Sequence, residues 1–271
     1  MRASNLTISV PYKGCDKNCP YCVSQMTGLI ESNPAMMMRN LDKVHTLARH
    51  AQVSSVLITG KGEPCLNMDM TLRFIREFNH YPVELQTNGI YLNKNKHMLI
   101  DMWNNGLDIV AISIDETRQI RDYHALFKGI RDLGMTVRLC LNITKKVSSS
   151  LAFNSLVTLC QRNYVDQLLL RNITKPKFAK ESGYTKWIDM NTSQLQYDTL
   201  VEQMEAFLNK FGRFLRRTAF GMEIWEYRGI SITKSSYCIQ DSNHDADIRS
   251  LIFMEDGHLY TNWDTQASRI L

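Results

Sequence analysis

The chain of 271 residues is 44% hydrophobic, enough to bury a substantial core, which excludes a disordered tail or a disulfide-stapled miniprotein. Its 32 Lys and Arg against 27 Asp and Glu leave a net charge of +5, which permits a polyanionic partner without demanding one. No apolar run reaches the roughly 18 residues of a membrane span, and the opening MRASNLTISVPYKGC lacks the apolar stretch of a secretory leader, so a cytoplasmic protein with no membrane partner is expected.

In chain order, short β-branched apolar runs predict strands at Leu6 to Val10, Ser55 to Thr59, Val83 to Thr87, Ile109 to Ile114, Thr136 to Asn142 and Gln167 to Arg171. Between them, apolar residues three and four apart predict helices through Leu41, Val44, Leu47 and Ala48, through Leu72, Ile75 and Phe78, and through Leu126, Ile130 and Leu133. Two more helical segments are expected at Leu151 to Cys160 and Leu195 to Phe211. Strand and helix alternate about every 25 to 30 residues, the length of one βαβ unit, and the strands read as nearly continuous apolar runs of a parallel α/β sheet. Six strands fall short of a closed eight-stranded barrel, so a partial barrel and an open doubly wound sheet both fit. Beyond residue 217 the segments Met222 to Tyr227, Ile230 to Thr233, Leu251 to Met254 and His258 to Thr261, with turns at Arg228-Gly229 and Asp256-Gly257, predict a small antiparallel β extension. The expected division is therefore 1–217 and 218–271. Two basic stretches, Lys175 to Lys186 and Lys210 to Arg217, read as a solvated loop and the C-terminal turn of a helix.

Seven cysteines in a long chain of this kind suggest metal-binding, catalytic or buried thiols rather than a disulfide framework. Cys15, Cys19 and Cys22 lie within GCDKNCPYC, directly after the first predicted strand. Three thiolates on so short a loop can converge on one centre, and soft thiolates select iron-sulfur clusters, zinc or copper(I). A structural zinc site wants a fourth protein ligand, yet the next cysteine is Cys65 and the first histidine is His45. Three ligands leave one coordination position open. Cys65, Cys140 and Cys160 occur singly on apolar stretches and read as small buried hydrophobes, and Met36 to Met38 as helix packing.

The CxxxCxxC spacing, with Tyr21 before the last cysteine, resembles the signature of the radical S-adenosylmethionine (radical SAM) superfamily. TGKGEP resembles the family's GGEP segment through Gly60, Gly62, Glu63 and Pro64, although Lys61 interrupts the double glycine. QTNG and SID follow at the ends of the third and fourth predicted strands, where a parallel barrel builds its active site. The resemblance implies a partial (β/α)6 parallel barrel, one 4Fe-4S cluster held by Cys15, Cys19 and Cys22, and S-adenosylmethionine as cofactor. It also implies cofactor-binding roles: Glu63 and the Gly60 to Gly62 backbone for the amino group, Thr87, Asn88 and Ser113 for the methionine moiety or ribose, Asn142 for ribose or carboxylate, Arg171 for the carboxylate, and Tyr21 for adenine. Plainer roles stand beside these. Glu63 can cap the helix that follows, Thr87-Asn88-Gly89 is also an ordinary turn, Asp115 can cap a helix, and Asn142 and Arg171 can serve structural hydrogen bonds.

The tail YCIQDSNHDADIRSLIFMEDGHLYTNWD resembles the hairpin of extensions that carry additional clusters. Cys238 stands in the upstream position, but Asn262 or Trp263 falls where the second cysteine belongs, so a degenerate hairpin and a single cluster are expected. The resemblance implies an external electron donor such as flavodoxin or ferredoxin, and a 5′-deoxyadenosyl radical that abstracts hydrogen from a substrate. The basic loops favour a small-molecule, nucleotide or other phosphorylated substrate. The alternatives are a glycyl-radical activating enzyme acting on a partner protein and a non-catalytic zinc or iron-sulfur binding module.

Overall fold

A computed structural model of the chain describes residues 2–150, 152–177, 179–218, 220–235, 247–263 and 265–271. Eleven strands occur among the described residues: β1 (Arg2–Ser9), β2 (Val56–Thr59), β3 (Val83–Thr87), β4 (Ile109–Ile114), β5 (Thr136–Ile143), β6 (Gln167–Asn172), β7 (Arg213–Arg217), β8 (Glu223–Tyr227), β9 (Ile230–Ser235), β10 (Asp247–Phe253) and β11 (Leu259–Tyr260). The described residues fall into two compact units, one drawn from Met1–Asn18, Thr27–Ile109 and Ile239–Leu271, the other from Cys19–Met26 and Val110–Cys238.

In the first unit the strand order is β11-β10-β1-β2-β3. β1 pairs in parallel with β2 on one side and with β10 on the other, Thr7 lying opposite Leu57 and Ile252. The period of two along β1 sends Leu6 and Ile8 to one face, both fully buried, and Asn5, Thr7 and Ser9 to the other. Helix Pro34–His50 starts where Asn33 accepts the Met36 N–H and proline takes the first helical position, and it supplies Met37 and Val44 to the core. Helix Met68–Glu77 adds Phe74 and Ile75, and Phe74 meets Phe253 of β10 edge to face at 6.5 Å. The hairpin β10–β11 turns at Gly257, whose φ of 84° suits glycine and whose missing Cβ would otherwise lie 2.6 Å from the Met37 nitrogen.

In the second unit the order is β4-β5-β6-β9-β8-β7. β5 and β6 pair in parallel with Asn142 opposite Arg171, β6 pairs in parallel with β9, and β9, β8 and β7 continue as an antiparallel meander. Val137, Leu139 and Leu141 of β5, Leu168 and Leu170 of β6 and Ile232 of β9 form the buried face, to which helices Phe153–Arg162 and Gln194–Phe211 contribute Val157, Cys160, Met204 and Leu208. The predicted turn at Arg228-Gly229 is the β8–β9 hairpin, both residues having positive φ.

The class is therefore mixed α/β with largely parallel strands, as the alternation predicted. The segments beyond residue 217 are shared out: β8 and β9 continue the sheet of the second unit, while β10 and β11 belong to the first. One reading needs correction. Arg213, Arg216 and Arg217 do not extend the last turn of a helix, because the helix ends at Phe211 and Gly212 adopts an extended conformation. Arg213–Arg217 forms an exposed strand from which Arg213 pairs with Glu226 and Arg217 with Glu223 of β8.

Candidate functional site

In the first unit the chain leaves β1 and is caught at once. The Tyr12 N–H donates to Glu255 Oε2 at 2.7 Å, and the Ser32 hydroxyl donates to the same oxygen at 2.6 Å. Two residues on, the Gly14 carbonyl accepts the Glu63 N–H at 3.0 Å. A Cβ on Gly62 would lie 2.2 Å from the Gly14 oxygen and 2.8 Å from the Tyr12 ring, so only glycine lets the residue 60–63 turn close on the chain that leads to Cys15. At Gly60 the same test gives ordinary contacts, the nearest being 3.4 Å.

Glu63 is the hub of this unit's candidate residues. Its side chain is 4% exposed, and both carboxylate oxygens are engaged: Oε1 accepts from the Thr87 hydroxyl at 2.6 Å and the Cys65 N–H at 3.0 Å, and Oε2 accepts from the Asn88 N–H at 2.9 Å. It caps the short 3-10 turn Pro64–Asn67 and at the same time pins the end of β3. Burial holds its carboxyl above the usual carboxylate range, an effect that the donors of Asn88, Thr87 and Cys65 oppose. Asn88 reaches toward the cysteine loop, its amide donating to Asp16 Oδ1 at 2.7 Å and lying 3.9 Å from Cys15 Sγ, while its own carbonyl oxygen accepts the Ile90 N–H at 2.8 Å. Cys15, Glu63, Thr87 and Asn88 thus form one connected set. Cys15 is exposed.

The second unit holds Cys19, Tyr21, Cys22, Ser113, Asn142 and Arg171. The Cys22 N–H donates to the Cys19 carbonyl at 3.1 Å, closing a turn that brings the backbone of these two residues together ahead of helix Val23–Thr27. Tyr21 points its hydroxyl at Asp115 Oδ2, 2.9 Å away, and accepts from the Asn142 amide at 3.3 Å. Its ring lies 5.5 Å from Trp187, beside a small apolar cluster of Met26, Ile173 and Ile188. Burial, then the charges of Cys19 and Asp115, push the Tyr21 hydroxyl well above its ordinary value, so it remains a neutral donor. Ser113, the penultimate residue of β4, is half-buried, and Arg171 lies opposite Asn142 in the β5–β6 register.

Reasoning from sequence missed several of these connections. Asp115, weighed as a helix cap, instead holds Tyr21; its own N–H and that of Glu116 donate to Gln119 Oε1 at 3.0 Å. Lys61 is buried, with its ammonium on Thr27. Glu255, at the entry to the β10–β11 turn, is fully buried and grips Tyr12 from 243 residues away. Nothing in local sequence announces such long-range partners. Cys65, Cys140 and Cys160 are buried as expected, and burial raises the Cys160 thiol to about 12. Met37 is fully buried in its helix. Trp263 packs against Ile252, Met254 and Tyr260. Cys238, His244 and Asp245 lie outside the described residues.

The donor chemistry suits an iron-sulfur cluster. Cys15, Cys19 and Cys22 are free thiols with accessible or half-accessible side chains, unlike the buried Cys65, Cys140 and Cys160. Among the described residues no three or more His, Cys, Asp or Glu are gathered as a single-ion site, and no helix is long and apolar enough to cross a membrane.

Residues 9–160 match the family model of the radical SAM superfamily. Among curated proteins, GTP 3',8-cyclase of Clostridium acetobutylicum is 30% identical over 149 residues, 52% of this chain and 45% of that protein. A probable dual-specificity RNA methyltransferase RlmN of Alkaliphilus oremlandii is 28% identical over 89 residues, 32% of this chain and 23% of its own length. The chain thus aligns with less than half the length of either relative. Among solved structures, Streptococcus suis SuiB bound to S-adenosylmethionine gives a TM-score of 0.64 at 14% identity, covering 96% of this chain and 60% of that one. SuiB bound to its precursor peptide SuiA gives 0.65 at 16%, covering 96% and 59%. His-tagged anSMEcpe with bound AdoMet gives 0.62 at 15%, covering 98% and 76%. At these identities the structural likeness speaks for the fold.

Proposed function

The chain belongs to the radical SAM superfamily, whose enzymes use a 4Fe-4S cluster, S-adenosylmethionine and an electron donor, and on that premise we propose that it cleaves S-adenosylmethionine reductively at a single cluster to oxidise or rearrange a nucleotide or other phosphorylated substrate. The observation that carries the reading is the family match over residues 9–160, which takes in GCDKNCPYC, TGKGEP, QTNG and SID together. When bound, the cluster supplies the electron that breaks the carbon-sulfur bond and releases methionine and a 5′-deoxyadenosyl radical able to abstract hydrogen.

The chain's own residues bind and orient. Cys15, Cys19 and Cys22 would hold the cluster through their thiolates. Glu63 keeps Thr87, Asn88 and the turn at Gly60 to Gly62 in place for the amino group and methionine moiety, a positioning task that its three hydrogen bonds support. Ser113, Asn142 and Arg171 receive ribose and carboxylate. The Tyr21 hydroxyl is committed to Asp115 and Asn142, which leaves its ring and backbone for adenine. A nucleotide substrate is supported by the 30% identity to a GTP cyclase. A peptide substrate is the second reading, favoured by the likeness to SuiB bound to a precursor peptide.

Anaerobic reconstitution tests the core of this. About four irons per chain, on the family's stoichiometry, and 5′-deoxyadenosine formed under strong reductant are expected, and each of Cys15→Ala, Cys19→Ala and Cys22→Ala abolishes the product. Product formation by any of these variants contradicts the assignment. Deuterium transfer into 5′-deoxyadenosine from labelled GTP, set against a labelled peptide, decides between the substrate classes.

A further inference from the structure

The turn at residues 60–63 carries one side chain that the family signature does not explain. Lys61 stands between the two glycines, is 8% exposed, and its Nζ donates to Thr27 Oγ1 at 2.9 Å. An ammonium withdrawn from water is costly unless firmly bonded, so a lysine buried at a turn marks an arrangement held for its geometry. The same turn meets the chain at a second point. The Glu63 N–H donates to the Gly14 carbonyl at 3.0 Å, and Gly62 lies so close that no side chain fits there. Gly14 immediately precedes Cys15, and Thr27 closes the helix that begins one residue after Cys22. Three consecutive residues, 61 to 63, therefore hold both ends of the segment that bears all three cysteines. At the Gly14 end the 60–63 turn acts through a backbone hydrogen bond; at the Thr27 end it acts through the reach and the donors of a lysine.

We infer that Lys61 is a positioning residue: its ammonium pins Thr27 and so fixes the return limb of the cysteine-bearing segment, which sets how firmly the thiols retain their metal. The pin itself stands on the geometry of the first unit. Its consequence for metal retention rests on the cluster assignment proposed above.

The two are tested separately. In the metal-free full chain, hydrogen exchange of amides 23–29 is measured for Lys61→Met, which keeps the length of the side chain and removes its charge, for Thr27→Val, for the double variant and for Lys61→Arg. Losing a buried hydrogen bond to a charged group speeds local opening roughly ten-fold. Each single variant is expected to show that increase within 23–29 while exchange in β5 stays unchanged, the double variant to exchange no faster than either single, and Lys61→Arg to restore protection in part. In reconstituted protein the same variants lose iron to excess chelator roughly ten-fold faster, by the same loss of one charged hydrogen bond. Wild-type exchange in Thr27→Val, additive effects in the double variant, or acceleration spread over the whole chain overturns the inference. Thr27→Val changes one hydroxyl and decides the matter even if Lys61→Met does not fold. Wild-type protein that takes up no iron overturns the cluster reading and leaves the exchange result to judge the pin.

Discussion

The two units hold their candidate residues by different means. In the first unit a carboxylate with both oxygens occupied organises its surroundings largely through backbone: Glu63 takes N–H groups from Cys65 and Asn88, and its own N–H holds Gly14. In the second unit the links run from side chain to side chain, Tyr21 to Asp115 and Asn142 to Tyr21, across 94 and 121 residues of sequence. A backbone-centred hub tolerates little, because the Thr87 and Cys65 donors it would lose are buried and cannot turn to water. A side-chain network is looser, since its members keep alternatives and rotamer freedom.

That contrast is open to a direct attack, and the largest effect is expected at Glu63. Glu63→Ala strands the Thr87 hydroxyl and the N–H groups of Cys65 and Asn88. At about 1 kcal/mol or more for each of the two buried donors, Thr87 and Cys65, denaturant unfolding should show a loss of at least ~2 kcal/mol. A loss below ~1 kcal/mol would mean that water replaces the carboxylate and that the hub is not one. Tyr21→Phe removes two hydrogen bonds at a half-buried site and is expected to cost only ~1 kcal/mol by the same measurement, with the ring contact to Trp187 retained. Equal losses for the two variants would erase the distinction between the two networks.

The smallest effect is a slope. Burial holds the Glu63 carboxyl above its ordinary value of 4.5, so the folded chain binds that proton more tightly than the unfolded chain. The contribution of the protonated group is fully present below 4.5 and is lost as pH rises through the raised value. Glu63→Gln carries no titrating proton and lacks this decline. The difference in unfolding midpoint between wild type and Glu63→Gln, followed with pH, should therefore shift in favour of the variant as pH rises. A difference that does not vary with pH removes the buried-carboxylate account.

How much was legible beforehand follows the same division. Val83–Thr87 and Ile109–Ile114 were bounded as predicted, because β-branched runs ending in turn residues leave little latitude. β7 was missed, because basic residues after a helix satisfy the rule for a helix C-terminus equally well and only the extended Gly212 redirects the chain. Cys15, Cys19 and Cys22, and the Gly62-Glu63 pair, stood out because their spacing is short. Asp115 and Glu255 did not, since neither carries a local pattern that names its partner.

Sequence by itself determined the α/β alternation and the three-thiol loop, matters of period and spacing within a few residues. Tertiary structure alone decided that the hairpin after Asp247 joins β1 in parallel, that Lys61 turns inward to Thr27, and that the Tyr21 hydroxyl is spent on Asp115. The reason is physical: local preference is set by backbone sterics and apolar period, whereas the partner of a buried polar group is whichever donor or acceptor the folded chain brings within about 3 Å.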